Sequence, residues 1–221
     1  MALGIKFQKK VGIMLSHPVS FILLFIYLIQ TGALTYLIIE KNKQENVIKQ
    51  QEQRIKELEE KLKIFKIIED FQVGLKTDEL GGLTTVICRE SEKYSYDPLL
   101  IIALIQTESS FKRNQESNRG ARGLMQVKPS VGYDLAKRRG LNWKGDLSLF
   151  DADFNIQLGS LYLFELILKF KDVKKALIAY NYGENALRLK IKRGGDLPKI
   201  FLSRVVSNYK ILKEKYAKIS I

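Results

Sequence analysis

Two different hydrophobic patterns follow one another in the N-terminal third of the chain. Residues 19–39, VSFILLFIYLIQTGALTYLII, carry no charged side chain. A helix of this length spans about 31 Å, the thickness of a bilayer core, so the run predicts one transmembrane helix. Residues 40–71 are rich in Lys, Glu and Gln, with apolar residues at heptad spacing. This second pattern favours a helical stalk, and both a dimeric coiled coil and a single solvated helix fit it.

The charges that flank the apolar run predict its orientation. Lys6, Lys9 and Lys10 precede it without an acid, whereas the charges just after it cancel. The positive-inside rule therefore predicts that residues 1–18 are cytoplasmic and that the remainder lies outside, facing the periplasm or the wall. A cleaved signal peptide is the alternative, since TGA at 31–33 resembles a small-residue cleavage site. The apolar run continues beyond that point, which favours an uncleaved anchor in the cytoplasmic membrane.

Residues 72–221 show the periodicity of helices and no convincing run of alternating strand residues. Asp97 and Pro98 are typical of a helix start. The run LLIIALI at 99–105 is apolar on every side, which predicts a helix buried within a domain. The polar, glycine-containing stretch 111–128 predicts a loop. Further helices are expected over 77–94, from Asp151, over Val173–Asn181 with a stop at Gly183, and from Pro198. The expected fold class is mostly α.

Composition excludes several kinds of site. A single cysteine, Cys88, excludes an intrachain disulfide and Cys-clustered metal sites, and a single histidine, His17, excludes His-based catalysis in the main domain. The formal net charge of +13 indicates an anionic partner. Residues 95–221 hold 23 Lys and Arg against 12 Asp and Glu. The excess therefore lies in the predicted external part, where anionic envelope polymers are more abundant than nucleic acid.

Glu108 is the first candidate for chemistry. It follows the apolar run 99–105 and lies near the C-terminal end of the predicted buried helix. Loss of water and the negative end of the helix dipole both disfavour a carboxylate there, so both raise its pKa. A raised pKa suits a group that donates a proton near neutral pH. From position alone, an exposed or ion-paired structural glutamate is the simpler interpretation, and the neighbouring motifs change that.

Four motifs resemble the lytic transglycosylase family with the goose-type lysozyme fold. They are ESSF at 108–111, SNRGARGLMQ at 117–126 with Pro129 shortly after, residues 151–163, and AYNYG at 179–183. They stand in the family order within about residues 95–217, more than half of the chain. The resemblance implies a lysozyme-like helical domain over 72–221. It also implies cleavage of the β-1,4 bond between N-acetylmuramic acid and N-acetylglucosamine in peptidoglycan, with neither a metal nor an organic cofactor.

The resemblance also assigns individual residues. Glu108 becomes the only catalytic acid and base: it protonates the glycosidic oxygen and then deprotonates the muramic C6 hydroxyl, which closes a 1,6-anhydro ring. For several of the other residues, core packing, turn formation or helix-end hydrogen bonding remains the structural alternative. The expected substrate-binding residues are Ser109, Ser117, Gly123, Met125, Gln126, Tyr180 and Asn181, with the Tyr180 hydroxyl beside the acid.

The chain departs from the family pattern in two places. Arg113 and Gln115 stand where the family often has Pro and Ala, and Phe201-Leu202 stands where a Tyr-Val pair commonly opens the last helix. These differences concern fine substrate preference more than activity.

The combined prediction is a single-pass membrane protein whose external domain cleaves peptidoglycan glycan strands, with a homodimer through the stalk as one option. Three rivals remain. They are a hydrolytic lysozyme on the same fold, a non-catalytic wall-binding scaffold, and a membrane-tethered nucleic-acid binder. The last is disfavoured because no nucleic-acid-binding motif is present.

Overall fold

The computed structural model of the chain describes residues 17–71 and 75–219. The three N-terminal lysines and most of the predicted cytoplasmic segment 1–18 lie outside the described residues. The chain divides into two compact units, one ending at Lys56 and one beginning at Glu57.

The first helix, α1, runs over His17–Glu69 and contains the whole predicted transmembrane run. By length and apolar composition it is able to cross a membrane. Its large apolar side chains are exposed, with Phe21 at 70%. The hydroxyls of Thr31 and Thr35 donate to the carbonyls of Tyr27 and Thr31, at 2.9 and 2.7 Å. Its polar threonine side chains are therefore satisfied within the helix, as an apolar solvent requires.

The C-terminal turns of α1 belong to the second unit. Ile64, Ile67 and Ile68 are 2% exposed or less and join the hydrophobic core. Composition places the boundary between stalk and domain at residue 72, whereas the compact unit begins at Glu57. The difference arises because Lys63, Lys66 and Glu69, around the isoleucines, give this amphipathic end the composition of a solvated stalk.

The second unit is helical, as its periodicity predicts. Between residues 75 and 219 the only β pairing consists of isolated bridges from Arg122 to Glu116 and to Val127. A short 3-10 helix spans Asp146–Phe150. The α-helices are α2 (Thr77–Tyr94), α3 (Pro98–Glu108), α4 (Pro129–Arg139), α5 (Ala152–Phe170), α6 (Val173–Tyr182), α7 (Glu184–Lys192) and α8 (Ile200–Lys218).

Helix α3 is the buried helix that the apolar run predicts. The Asp97 side chain accepts a hydrogen bond from the Leu99 amide at 2.9 Å, and Pro98 occupies the first turn. Residues 101–105 are fully buried, and α3 packs against α2 and α8. Its C-terminal residue is Glu108. Burial of the helix therefore leaves Glu108 half-buried at the end of the core.

Helices α4 and α7 are absent from the sequence prediction. Helix α4 begins at Pro129 and ends before Gly140, whose φ of 64° suits a glycine C-cap. Helix α7 begins directly after Gly183, the predicted stop. Both are short and polar, so tertiary packing stabilises them more than their hydrophobic pattern does.

Candidate active site

Glu108 opens into a cleft of about 550 Å³. The cleft is bounded by the end of α3, the loop over 111–128, and residues of α5 and α6. Its lining includes five of the residues that the sequence selects: Glu108, Ser117, Gln126, Tyr180 and Asn181. The remaining three, Ser109, Gly123 and Met125, are buried and are not among the lining residues.

The surroundings of the Glu108 carboxyl group favour its protonated form. Burial raises its pKa from 4.5 to about 8, against a smaller lowering by the charge of Arg204. No ion pair or hydrogen bond to the carboxyl is formed within residues 75–219. At neutral pH the group is therefore mostly protonated and has a proton to donate.

The end of α3 is completed by polar groups from outside the helix. Arg204 of α8 donates from Nη2 to the Thr107 carbonyl at 3.2 Å, and Asn208 donates to the Thr107 hydroxyl oxygen at 2.9 Å. The Ser109 hydroxyl, which is buried, donates to the Ile105 carbonyl at 3.2 Å. The Arg204 bond satisfies a carbonyl that a helix end leaves without a partner. It also places a cation at the negative end of the α3 dipole, beside Glu108.

The loop over 111–128 is held by its own hydrogen bonds. The Gln126 side-chain amide donates to the carbonyls of Gln115 and Gly123, at 3.0 and 2.9 Å. The Ser117 hydroxyl accepts from the Ala121 amide at 3.0 Å. Gly123 has a φ of 77°, and a Cβ there would lie 2.2 Å from a neighbouring carbonyl oxygen. Only glycine fits this position, so its role is to let the loop close against the domain.

Met125 is a core residue in this structure. Its side chain is fully buried against Gly159, where an added Cβ would lie 2.6 Å from the Met125 sulfur. Its amide donates to the Asn155 side-chain oxygen at 2.7 Å. The backbone of Met125, rather than its side chain, therefore faces the groups that line the cleft.

Tyr180 lies beside Glu108, and its hydroxyl has a hydrogen-bond partner in the loop. It donates to the Met125 carbonyl at 2.8 Å. Burial, with a smaller contribution from Glu108, raises the Tyr180 pKa well above 10, so the phenol stays neutral. The Tyr162 ring packs on the Tyr180 ring at 5.2 Å between centroids. Tyr180 thus joins α6 to the loop and forms a wall of the cleft.

Sequence reasoning missed several residues of the cleft. Glu116 lines it as a second carboxylate, paired with Arg122 at 3.0 Å. Arg119, Lys128 and Tyr162 also line it. Tyr162 lies within one of the four motifs, whereas the charged residues occupy loop positions with no local signal.

Of the residues that depart from the family pattern, Gln115 lines the cleft, whereas Arg113 and Phe201 have structural roles. Arg113 donates to Glu79 at 3.0 Å, and Glu79 also accepts the amide of Lys76 at the start of α2. Phe201 is 9% exposed and belongs to the core. Neither Arg113 nor Phe201 is among the residues that line the cleft. Within the described ranges, no group of three or more His, Cys, Asp or Glu side chains is placed to hold a metal ion.

The fold and the cleft define a helical, lysozyme-like domain with Glu108 in its cleft. The family model of the transglycosylase SLT domain matches residues 85–201, and the chain belongs to this family. The lytic transglycosylase Slt from Pseudomonas aeruginosa, solved as an inactive mutant, superposes with a TM-score of 0.55 and 24% identity. The match covers 62% of this chain and 24% of that one.

Curated relatives share the same region. The "Transglycosylase" of Enterobacteria phage PRD1 is 32% identical over 122 residues, 55% of this chain and 41% of that protein. "Membrane-bound lytic murein transglycosylase E" of Buchnera aphidicola is 43% identical over 75 residues, 33% of this chain and 35% of that protein. "Membrane-bound lytic murein transglycosylase C" of Serratia proteamaculans is 42% identical over 80 residues, which are 35% of this chain and 22% of that protein. The chain thus spans less than half the length of each of these relatives.

Proposed function

We propose that the protein is a membrane-anchored lytic transglycosylase that cleaves the β-1,4 bond between N-acetylmuramic acid and N-acetylglucosamine in peptidoglycan. The observation that carries the proposal is Glu108, a carboxyl group in a cleft with a pKa of about 8. The names of the relatives support the same reaction class. The basic excess over residues 95–221 favours attraction to an anionic wall.

In the proposed reaction, Glu108 acts first as an acid and then as a base. Its proton goes to the glycosidic oxygen as the bond from C1 of the muramic residue breaks. The resulting carboxylate takes the proton of the C6 hydroxyl, and O6 bonds to C1 to close the 1,6-anhydro ring. The proton returns to Glu108, so the enzyme is regenerated and no water is consumed. Support for C1 from the 2-acetamido group of the sugar removes the need for a second carboxylate.

Arg204 fits the second half of this cycle. It lies at the end of α3, where its charge favours the carboxylate form of Glu108. The carboxylate that forms after proton donation is therefore partly compensated. Burial keeps the acid protonated before the reaction, and the cation limits the cost of its ionisation afterwards.

A second candidate is hydrolysis on the same fold, because Glu116 adds a carboxylate to the cleft. Glycosidases that hydrolyse use two carboxyl groups. The ion pair of Glu116 with Arg122 argues against this role, since it engages the carboxylate at 3.0 Å. Transglycosylation therefore remains the better supported reaction.

Mass spectrometry of products from purified sacculi tests the proposal. We expect anhydro-muropeptides from the wild type and from Glu116→Gln. A reducing muramic end, one water heavier, would show hydrolysis, and its loss in Glu116→Gln would assign the second carboxylate. Binding to sacculi without any product would instead support a non-catalytic wall-binding scaffold.

The proposed location is the cytoplasmic membrane, with α1 as an uncleaved anchor and the catalytic domain outside. Proteolysis of intact spheroplasts tests it: we expect the domain to be digested and the mature protein to retain residues 1–18. A protected domain would reverse the orientation, and an N-terminus near residue 34 would show cleavage.

Cross-linking of single cysteines placed at Ile48 in a Cys88→Ser background tests the proposed dimer through the stalk.

A further inference from the structure

Two cations in the cleft have no side-chain partner. Arg119 and Lys128 both line the cavity that contains Glu108. Within residues 75–219, neither side chain forms an ion pair or a hydrogen bond. Arg122 of the same loop differs, because it pairs with Glu116 at 3.0 Å and with Asp146 at 3.5 Å. Two positive charges are thus left for a ligand.

The acids of the cleft do not neutralise these cations. Glu108 is mostly protonated at neutral pH, since its pKa is about 8. Glu116 is already engaged by Arg122. The other titratable groups of the lining, Tyr162 and Tyr180, stay neutral because burial raises their pKa values. The cleft therefore carries a net positive charge where substrate binds.

The backbone holds both cations at fixed points of the loop. Arg119 lies in a turn closed by the Gly120 amide on the Ser117 carbonyl at 2.8 Å, and Gly120 has a φ of 71°. Lys128 follows Val127, which exchanges two backbone hydrogen bonds of 3.0 Å with Arg122. Both side chains are exposed on this ordered backbone. An anchored backbone with free cationic ends is suited to meeting an anion of the ligand.

We propose that Arg119 and Lys128 form a carboxylate-binding subsite, so that the cleft selects anionic glycan over neutral glycan. The inference rests on the proposed function, because it assigns a feature of that substrate to the cleft. Muramic acid bears a lactyl carboxyl group, which is free when the peptide stem has been removed. When the stem is present, the carboxylates belong to the peptide. Both sources offer the same chemistry.

Steady-state kinetics on three glycans distinguish these sources. The substrates are strands with peptide stems, strands whose stems an amidase has removed, and the latter strands with the lactyl carboxyl converted to its methylamide. The proteins are full-length wild type, Arg119→Gln, Lys128→Gln and the double variant. Lys112→Gln is the matched control, because Lys112 is an exposed cation of the same loop that does not line the cleft.

We expect KM on carboxylate-bearing strands to rise about five-fold in each single variant and about twenty-fold in the double variant. The value of kcat should stay within about two-fold, because Arg119 and Lys128 do not touch the reacting atoms in this proposal. The methylamide strands should show no difference among the proteins. A rise confined to stem-bearing strands assigns the peptide carboxylates, and a rise on amidase-treated strands assigns the lactyl group.

Equal losses on the charged and the methylamide strands would overturn the subsite, as would the same loss in Lys112→Gln. Absence of product from wild type on all three glycans would instead refute the proposed function. In that case, equilibrium binding of the same glycans still decides the inference. Preference of wild type for the carboxylate-bearing strands, lost in the double variant, would support it, and equal binding of all three would overturn it.

Discussion

Two glutamates of the domain, the half-buried Glu108 and the buried Glu165, behave in opposite ways. Glu165 of α5 is 7% exposed, and Arg138 donates two hydrogen bonds of 2.9 Å to its carboxylate. Arg139 adds a third at 3.1 Å. These bonds lower the pKa of Glu165. Burial instead raises the pKa of Glu108, to about 8.

The difference shows that loss of water alone does not decide whether a glutamate is protonated. At Glu165, charge-assisted hydrogen bonds outweigh the loss of water, so the residue is an ionised clamp between α4 and α5. At Glu108, the cation whose charge lowers its pKa, Arg204, bonds to the Thr107 carbonyl rather than to the carboxyl group. Within residues 75–219, the Glu108 carboxyl group therefore has no bonded partner. Burial keeps this group protonated, and it lines the cleft.

Replacement of the unpartnered acid should have the largest effect on activity. Glu108→Gln removes the proton donor, so we expect release of anhydro-muropeptides to fall at least about a thousand-fold. Folding should be retained, since glutamine keeps the shape without an ionisable group. Between pH 4.5 and 8 the folded wild type holds a proton that the unfolded chain releases, so its stability falls as pH rises. The variant lacks this loss and should be at least as stable at pH 8, as measured by thermal unfolding.

Replacement of the paired glutamate should have the opposite profile. Glu165→Gln leaves Arg138 and Arg139 without their shared carboxylate, so we expect a loss of about 2 kcal/mol in the free energy of unfolding. Activity per folded molecule should be unchanged. Glu214→Gln, at an exposed glutamate of α8, is the control and should unfold as the wild type does. A loss of activity in Glu165→Gln without a loss of stability would erase the distinction between the two glutamates.

The smallest expected effect concerns the cation beside Glu108. Arg204→Gln removes a charge that favours the carboxylate, so the pKa of Glu108 should rise further. Loss of kcat/KM at alkaline pH should then begin at a higher pH, as measured by a pH–rate profile from 5 to 10. The other charged groups of the cleft, Glu116, Arg119 and Lys128, are unchanged by the substitution.

Lys210→Gln removes the same charge from α8 at an exposed position and should leave the profile in place. An Arg204→Gln profile that coincides with that of the wild type would leave the guanidinium with a purely structural role at the end of α3.

The motifs around Glu108 predict it as the acid, and a local signal predicts its place at the end of a buried helix. Seven apolar residues precede the acid, and Asp97 and Pro98 mark the start of the helix that buries it. The core helices are predicted for the same reason: their apolar positions recur at helical spacing. The last turns of α1 are harder to predict, because Ile64, Ile67 and Ile68 lie among charged residues, and only the fold shows that they enter the core.

The partners that distinguish the two glutamates could not be predicted in this way. Arg204 reaches the end of α3 from α8, almost a hundred residues later, and Arg138 reaches Glu165 from α4. Such pairs leave no periodic signal in one sequence. For the same reason, the sequence does not predict that the Met125 side chain lies in the core or that the Tyr180 hydroxyl bonds to the Met125 carbonyl.

The most direct test is titration of the Glu108 carboxyl group itself. Selective ¹³C labelling of glutamate side chains, with Glu108→Gln used to assign the resonance, gives its midpoint by NMR. The account predicts a midpoint near pH 8, well separated from the exposed glutamates. A midpoint near 4.5 would contradict it, because an acid that is ionised at neutral pH cannot be the proton donor proposed here.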